Sequence, residues 1–306
     1  MTPDSVSINA TPTDTTPTKT PRRRSERIVS QSPQMDMGAL PPMPVTPRSS
    51  LRSLLDDYLR WSAGKRNVSI QMTFDASEFT RFAARCKREG KRPPSLVAYV
   101  LRCAGVVFDK HRELMAAKYK KGLFVPEDVN IALMVSAHLK DGGSFPLMVG
   151  LTGVQSKTLP QISEELAQTS RGIRRQALAQ SPKFREALKL AAIRPGVRRV
   201  LLALCSLFPK YRAAVAFHAS HVGVSSLTQH LRSRGGWCAT LMPYTFNLIL
   251  GGLSKRAIVV NDEVVARECL DMTFMIDHEI LDGGPGLDFV DDFAKEFESG
   301  RLLSEF

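Results

Sequence analysis

The stretch that decides the fold lies near the C-terminus, at residues 270–286, and reads LDMTFMIDHEILDGGPG. Every second residue from Leu270 to Ile276 is apolar, and this period of two predicts a half-buried strand. The strand ends in Asp277 and His278, and Asp282 follows four residues after the histidine. An imidazole titrates near neutral pH, so it can remove a proton from a thiol or a hydroxyl. We therefore predict that His278 is a general base and that Asp282 fixes its local geometry.

A second interpretation of this short pattern remains open. A His-x-x-x-Asp-Gly sequence also occurs where an ordinary loop histidine stands beside an Asp-Gly turn, and short motifs give false positives. Gly283 favours the functional interpretation, because a glycine lets a substrate approach the backbone closely. We take Gly283 as a candidate substrate-binding residue.

The wider context of the motif carries a family resemblance. The pattern D-H-x-x-x-D-G at residues 277–283, followed by the helix-like LDFVDDFAKEF at residues 287–297, resembles the catalytic domain of the dihydrolipoyl acyltransferases. These are the core subunits of 2-oxo acid dehydrogenase complexes, and they share a fold with chloramphenicol acetyltransferase. The resemblance implies an α/β protein, an α+β two-layer sandwich with a mixed sheet covered by helices on one side. That family usually has Asp-His-Arg here, whereas this chain has Glu279, which reverses a charge beside the site.

A second stretch resembles the same family. Residues 221–228, HVGVSSLT, are similar to a family strand that ends in Ile-Ser-Asn-Leu-Gly or Ile-Ser-Ser-Leu-Gly, with Thr228 in place of the glycine. The resemblance implies that Ser225 donates a hydrogen bond to the oxyanion of the tetrahedral intermediate. A fixed donor of this kind contributes roughly 2.7–4 kcal/mol to lowering a barrier. The alternative is a serine that only satisfies the end of a strand.

A third stretch suggests where the coenzyme binds. Residues 244–255, YTFNLILGGLSK, resemble the family's apolar strand that runs into Leu-Gly-x-x-Lys. The resemblance implies that Lys255, with Ser254 beside it, contacts the phosphates of coenzyme A, although an exposed strand-end lysine fits equally well. We expect coenzyme A or acyl-coenzyme A as a substrate, no covalent lipoyl group on this chain and no metal, because no metal-ligand spacing occurs among His, Cys and carboxylates.

Composition limits the remaining classes. Hydrophobic residues make up 43% of the 306 residues, which is enough for a sizeable core, and no apolar run is long enough for a transmembrane helix. The five cysteines are scattered, which fits reduced thiols in a cytoplasmic protein. Aromatic residues are few and no nucleic-acid-binding module is visible, so we do not expect a nucleic-acid partner.

The chain divides into two predicted regions. Residues 1–49 are rich in Thr, Pro and Ser and predict a disordered arm, and residues 50–306 predict the catalytic domain. The arm is too short for a lipoyl domain or a subunit-binding domain, so we expect a free-standing catalytic domain with a lipoyl-bearing or acyl-carrier protein acting in trans. The predicted elements are helices at 50–61, after Asp75, after Ser95 and after Thr158, and strands at 68–74, 129–135 and 145–149, with a turn at 140–143.

The segment 171–212 is the least family-like part of the chain. It holds eleven basic residues and one acidic residue, so it carries ten of the twelve net positive charges of the chain, and its apolar residues make it amphipathic. Such helices lie on anionic membrane surfaces or beside sites for anionic ligands. The alternative is a pair of surface helices that pack on their own domain. A cytoplasmic enzyme and a peripheral membrane protein both remain open.

The resemblance also implies an assembly. In this fold the active site forms between subunits, so we expect a homotrimer in which the histidine comes from one subunit and the opposite wall from the next. An acyltransferase that works by direct attack, without a covalent enzyme intermediate, is the predicted function. A catalytically inactive scaffold relative is the alternative, because Glu279 and Thr228 depart from the family pattern.

Overall fold

A six-stranded mixed sheet organises the molecule. The computed structural model describes residues 50–119, 121–138, 144–175, 189–190, 192–207, 221–231, 234–240 and 242–306. The strands of the sheet are, in chain order, β1 (Asn67–Asp75), β4 (Ile131–His138), β5 (Ser144–Leu151), β6 (Val222–Ser226), β7 (Phe246–Val260) and β8 (Glu263–Asp277), and β2 (Ala117–Tyr119) and β3 (Gly122–Phe124) form a separate antiparallel pair.

The order of the strands across the sheet is β1-β8-β7-β6-β4-β5. Strand β6 runs parallel to both of its neighbours, β4 and β7, and the other pairs are antiparallel. The mixed sheet implied by the resemblance is therefore confirmed. The predicted strands at 68–74, 129–135 and 145–149 correspond to β1, β4 and β5, and the predicted turn at 140–143 lies outside the described residues.

The helices begin close to where their capping signals predict. They are α1 (Ser50–Ser62), α2 (Ser77–Arg88), α3 (Leu96–Lys110), α4 (Leu159–Arg175), α5 (Pro195–Leu207) and α6 (Gly283–Ser299), with short 3-10 turns at Arg112–Met115, Val154–Ser156 and Arg301–Glu305. The hydroxyl of Ser95 accepts the backbone N–H of Ala98 at 3.1 Å, and the carboxylate of Asp75 accepts that of Ser77 at 2.8 Å. Each side chain satisfies one of the free donors at a helix start.

One face of the sheet carries the hydrophobic core. The alternating residues Leu270, Met272, Phe274 and Ile276 of β8 all face it, and each is at most 2% exposed. Phe289, Phe293 and Phe297 of α6 cover this face together with α3, and their rings pack on one another and on the phenylalanines of β1, β7 and β8. The period of two in the sequence therefore identified the apolar face of β8 correctly. The prediction of a half-buried strand is wrong, because Asp271, Thr273 and Met275 on the other face are at most 5% exposed.

A loop at residues 234–240 covers part of the opposite face of the sheet. Gly252 donates its backbone N–H to the carbonyl of Gly236 at 2.9 Å, beside an irregularity in the β7–β8 pairing between Leu250 and Leu253. A Cβ atom on Gly252 would lie 2.5 Å from the backbone of Gly235, so the loop and the strand touch backbone to backbone. Gly235 and Gly236 have φ values of 68° and 120°, which favour glycine.

The basic segment is described in part. Helix α4 extends to Arg175 and α5 spans Pro195–Leu207, while residues 176–188, 191 and 208–220 lie outside the described residues. The predicted arm at 1–49 also lies outside them, so the domain division stays a prediction. No helix in the described ranges is long and apolar enough to cross a membrane.

Candidate active site

The candidate general base stands where the sequence places it, at the end of a central strand. His278 follows the last residue of β8 directly, and its side chain is 50% exposed. Its backbone N–H donates to the carbonyl of Arg66 at 2.9 Å, and Ile280 donates to the carbonyl of Asp277 to form a tight turn. The imidazole is thus presented to solvent from a backbone that is hydrogen-bonded on both sides.

Asp277 anchors the end of the strand. Its side chain is 3% exposed and its carboxylate accepts a hydrogen bond from the ammonium of Lys65 at 2.7 Å. Its backbone N–H donates to the carbonyl of Thr245, and the Thr245 hydroxyl donates to the carbonyl of Ala116 at 2.7 Å. A buried carboxylate needs a partner of this kind, because leaving it unpaired is costly. The histidine therefore follows a residue that is fixed by both backbone and charge.

Glu279, the departure from the family pattern, has two cationic partners. Its carboxylate lies 2.5 Å from the ammonium of Lys118 and 3.2 Å from the guanidinium of Arg66. The hydrogen bond from Lys118 lowers the pKa of Glu279 below its ordinary value. The charge reversal in the sequence is thus matched by positive charges on β2 and at the start of β1.

Asp282 lies beside the imidazole. Its carboxylate oxygen is 3.9 Å from Nδ1 of His278, which is an ion-pair distance and too long for a hydrogen bond. The side chain is 95% exposed, and the residue precedes α6. Within the described ranges no arginine forms an ion pair with Asp282, and Arg66 binds Glu279 instead.

Gly283 opens α6 directly behind this loop. A Cβ atom built on Gly283 or on Gly284 would meet nothing within 4 Å, so the space in front of both residues is open in the single chain. Neither glycine has a φ value that would require it. What they provide is clearance beside His278.

Ser225 occupies a different part of the sheet. It is the fourth residue of β6, it is 6% exposed, and its hydroxyl lies 4.0 Å from the sulfur of Met134 on β4. Thr228, which stands where the family has glycine, accepts a hydrogen bond from Ser226 at 3.3 Å. The loop after β6 is therefore held by side chains.

One chain does not bring Ser225 and His278 together. Ser225 pairs with Ile249, and Ile249 pairs with Thr273, which is five residues before His278. At about 3.4 Å per residue this is about 17 Å along the strand, and β6 and β8 are two strands apart, which adds about 10 Å sideways. The strands also run in opposite directions, so their C-terminal ends point to opposite edges.

Lys255 and Ser254 lie away from both. Lys255 is exposed and pairs with Glu268 in the outer half of the β7–β8 hairpin, and Ser254 beside it is 7% exposed. Lys255 is six residues further along β7 than Ile249, about 20 Å from the level of Ser225. The chain by itself therefore does not assemble these residues with the histidine.

Two polar residues next to Ser225 were missed by the sequence analysis. Asn247 and Thr273 are fully buried on the same face of the sheet as Ser225, and within the described residues Oδ1 of Asn247 and Oγ1 of Thr273 have no hydrogen-bond partner. Buried polar atoms normally have partners, so two such atoms close together indicate a place for water or a ligand. The only sign of these residues in the sequence was one polar side chain, an amide in β7 and a hydroxyl in β8, within a mostly apolar stretch.

Metal chemistry has no visible support in the described ranges. No group of three or more His, Cys, Asp or Glu side chains there could hold a metal ion. Cys86, Cys103, Cys238 and Cys269 are free thiols.

The fold defines a class. A mixed six-stranded sheet with β6 parallel to both of its neighbours is the fold of the dihydrolipoamide acetyltransferase catalytic cores. No model of a protein family matches the chain. The resemblance noted in the sequence is confirmed at the level of the fold.

Three solved structures show this likeness. The cubic core of the pyruvate dehydrogenase multienzyme complex matches with a TM-score of 0.64 at 16% identity, over 89% of this chain and 98% of that chain. Dihydrolipoamide acetyltransferase from Azotobacter vinelandii matches with 0.63 at 15% identity, over 86% and 100%. A probable dihydrolipoamide acetyltransferase from Listeria monocytogenes matches with 0.62 at 15% identity, over 84% and 95%.

A curated relative is similar over a shorter stretch. The dihydrolipoyllysine-residue acetyltransferase component of the pyruvate dehydrogenase complex from Rickettsia felis is 41% identical over 54 residues. The match covers 18% of this chain and 13% of the relative. The chain therefore spans a small part of the length of the curated relative that it matches.

Proposed function

We propose that this protein is a coenzyme A-dependent acyltransferase that moves an acyl group between a thioester and a thiol, alcohol or amine. The observation that carries the proposal is the exposed imidazole of His278 at the end of a buried strand, with a carboxylate 3.9 Å away. A half-exposed histidine with a fixed backbone is accessible to a substrate and held in place, as a general base requires.

A structural neighbour supports the choice of residues. The Azotobacter vinelandii structure belongs to an investigation of the role of a serine, a histidine and an asparagine in the catalytic mechanism of that enzyme. There the asparagine follows the histidine by four positions and the serine precedes it by 52. In this chain Asp282 follows His278 by four positions and Ser225 precedes it by 53. The spacing after the histidine is therefore the same, with an aspartate in place of the asparagine, and the spacing to the serine differs by one position.

The proposed reaction is a direct transfer. Neutral His278 removes the proton from the attacking thiol, hydroxyl or amine, and the nucleophile adds to the thioester carbonyl. Negative charge then develops on the carbonyl oxygen, and Ser225 donates a hydrogen bond to it. The tetrahedral intermediate collapses, the thiolate of coenzyme A leaves and takes the proton held by His278, and Asp282 stabilises the imidazolium while it exists.

The separation within one chain supports a site shared between copies. Ser225 and His278 lie about 17 Å apart along the strands and two strands apart across the sheet. Two groups that act on one carbonyl must come within a few ångströms of it, so they must come from different subunits. We propose a homotrimer, with cyclic contacts that place His278 of one subunit opposite Ser225 of the next. The open space before Gly283 leaves room for a substrate.

The coenzyme and carrier contacts extend the proposal. Lys255, with Ser254 beside it, is our candidate contact for the phosphates of coenzyme A, because its ammonium is exposed. The acyl group could also arrive on a lipoyl-bearing or acyl-carrier protein that binds in trans.

The second candidate is an inactive scaffold with the same fold. Glu279 favours it, since it reverses the charge that the family carries after the histidine. Against it, Glu279 is bound by Lys118 and Arg66, so the reversal is accommodated without loss of the histidine loop.

The test is thiol release from a panel of acyl-coenzyme A thioesters of short to long chain. Dihydrolipoamide, simple alcohols and simple amines serve as acceptors, and the wild type is compared with His278→Ala. We expect the substitution to lower turnover about a hundred- to ten-thousandfold. His111→Gln is the matched control, because His111 binds Asp292 of α6. This substitution should leave turnover near that of the wild type.

Two outcomes would count against the enzyme. Equal turnover of His278→Ala and the wild type on a proven substrate would remove His278 from the mechanism. No release from any thioester, together with no coenzyme A binding by calorimetry, would favour the scaffold.

A further inference from the structure

Helix α5 is attached to the molecule by its charged side. Arg198 is fully buried, and its guanidinium lies 2.5 Å from the carboxylate of Asp57 on α1. The same guanidinium donates to the carbonyls of Leu190 and Ile193 at 3.2 Å, and Arg199 lies 2.6 Å from the other oxygen of Asp57. The side of α5 that carries Arg198 therefore faces inwards, and Arg199, whose side chain is 45% exposed, lies at its edge.

The apolar side of α5 faces outwards. Val197, Val200, Leu201 and Leu204 are 46–59% exposed, which is unusual for four large apolar side chains on one short helix. Their spacing of three and four residues aligns them along one face, roughly opposite Arg199 and over a length of about 10 Å. A surface helix normally buries its apolar stripe and exposes its charges, so α5 has the reverse orientation. We call these four residues the apolar stripe.

Charge identifies the surface that would cover the stripe. Residues 189–220 contain six basic residues and no acidic one, and Lys189 and Arg194, which precede the stripe in the sequence, are exposed. A covering surface must therefore combine apolar material with negative charge. A second copy of this chain that docked stripe to stripe is a poor match, because it would bring the basic Lys189 and Arg194 of both copies to the same interface. Anionic lipid headgroups above acyl chains supply both properties.

We propose that α5 is an interfacial helix that docks this protein on an anionic lipid bilayer. The apolar stripe enters the boundary between headgroups and acyl chains, and Lys189 and Arg194 contact the lipid phosphates. The buried contact of Arg198 and Arg199 with Asp57 holds the helix in this orientation before the membrane is met. Little ordering of α5 is then required on binding, which favours affinity.

Helix α1 connects this surface to the candidate active site. Asp57 lies on α1 and binds α5. Lys65 lies three residues after α1 and binds Asp277 at the end of β8. Docking through α5 therefore brings the bilayer to a helix that is ion-paired to α1, and the segment after α1 supports the His278 loop. The inference does not depend on the acyltransferase activity, because lipid binding is measured without a substrate.

The experiment is co-sedimentation of the full chain with phosphatidylcholine vesicles, with and without phosphatidylserine, at low and high salt. We expect the wild type to bind the anionic vesicles, not the neutral ones, and to retain part of the binding at high salt, because salt screens charge and not apolar insertion. Val200→Glu/Leu204→Glu should lower binding about tenfold or more, since it removes two inserting side chains and adds repulsion.

The matched control is Val259→Glu/Val264→Glu. These residues are 69% and 73% exposed at the tip of the β7–β8 hairpin, and the double substitution changes the net charge by the same amount. It should bind like the wild type. Circular dichroism checks that both variants fold.

Three results would overturn the inference. One is the absence of wild-type binding to anionic vesicles, and another is equal binding by both double variants. The third is a loss of oligomer mass in Val200→Glu/Leu204→Glu, measured by light scattering, without any loss of lipid binding, because the stripe would then be a contact between copies of this chain.

Discussion

The end of β8 and the end of β6 carry the two halves of the proposed site, and they are built in different ways. At the β8 end, ion pairs from distant parts of the chain converge: Lys65 binds Asp277, and Lys118 and Arg66 bind Glu279. At the β6 end, Ser225 is held by the strands on either side, and its hydroxyl lies 4.0 Å from the sulfur of Met134.

The difference shows what each end depends on. The histidine end depends on charges that must remain paired, whereas the serine end depends on strand register, which the sheet fixes. The two ends also belong to antiparallel strands, so one chain cannot close the site around a single carbonyl. If Ser225 and His278 act on one carbonyl as proposed, a second copy is required, and mixing copies is the most direct test of the comparison.

Mixed assemblies should give the largest effect. His278→Ala alone and Ser225→Ala alone should lower turnover, by roughly a hundred- to ten-thousandfold and a hundred- to thousandfold. If the site is shared, assemblies that contain both variants regain intact sites, and random mixing restores about a quarter of the wild-type sites. Turnover of co-expressed, co-purified variants is the measurement.

The control for mixing is the pair His278→Ala with His278→Ala/Ser225→Ala, which contains no intact histidine and should restore nothing. Recovery in the first pair and none in the second would establish a shared site. Suppose that neither pair recovered turnover although the purified assemblies contained both subunits. Then either both residues would belong to a site within one chain, or only one of them would take part in catalysis.

The sequence predicted one side of this comparison well and the other poorly. Alternation from Leu270 to Ile276 was sufficient to predict the strand, its apolar face and the histidine at its end, but it did not predict that the other face is buried as well. The mixed sheet and the role of Ser225 were predicted from the family resemblance and not from the local pattern. Strand patterns are local, and the period of two is visible in the printed sequence.

The charged contacts could not be predicted, because they join residues that are far apart in the chain. Glu279 meets Lys118 across 161 positions, and Asp277 meets Lys65 across 212. The inverted orientation of α5 was also hidden, since an amphipathic pattern shows two faces and does not say which one is inside. The ion pair between Arg198 and Asp57 of α1 determines which face of α5 is inside.

Asp57 should give the second-largest effect, on stability. Burial acts to raise the pKa of Asp57, but hydrogen bonds from Arg199 and Arg198 outweigh it, so the pKa lies below its ordinary value of 3.8. Asp57→Asn leaves Arg198 buried beside a neutral group, which should cost roughly 3 kcal/mol of unfolding free energy at neutral pH. Thermal unfolding of the variant and the wild type is the measurement.

The pH dependence of this pair gives an independent check. A carboxyl with a lowered folded pKa stabilises the protein fully above its unfolded pKa, near pH 4, and the contribution is lost as the pH falls through the folded pKa. The difference in Tm between wild type and Asp57→Asn should therefore be constant near neutral pH and shrink below about pH 4. A constant difference at acid pH would mean that the amide disturbs packing and that charge is not the cause.

Glu279 should give the smallest effect, and it shows whether charge really positions the histidine end. Glu279→Lys places a third cation beside Lys118 and Arg66, which should displace the loop and lower kcat/KM about tenfold, because small displacements of a general base are costly. Lys118→Glu in the same chain restores an attractive pair and should recover part of the loss. Since the Lys118 ammonium lowers the pKa of Glu279, the effect should be the same throughout the neutral range.

Recovery in the double variant identifies the pair as a positioning contact, whereas equal losses in Glu279→Lys and in the double variant would mean that the side chain of Glu279 acts without Lys118. A gain of activity on Glu279→Lys would show instead that the site is better served by the cation that the family carries after its histidine.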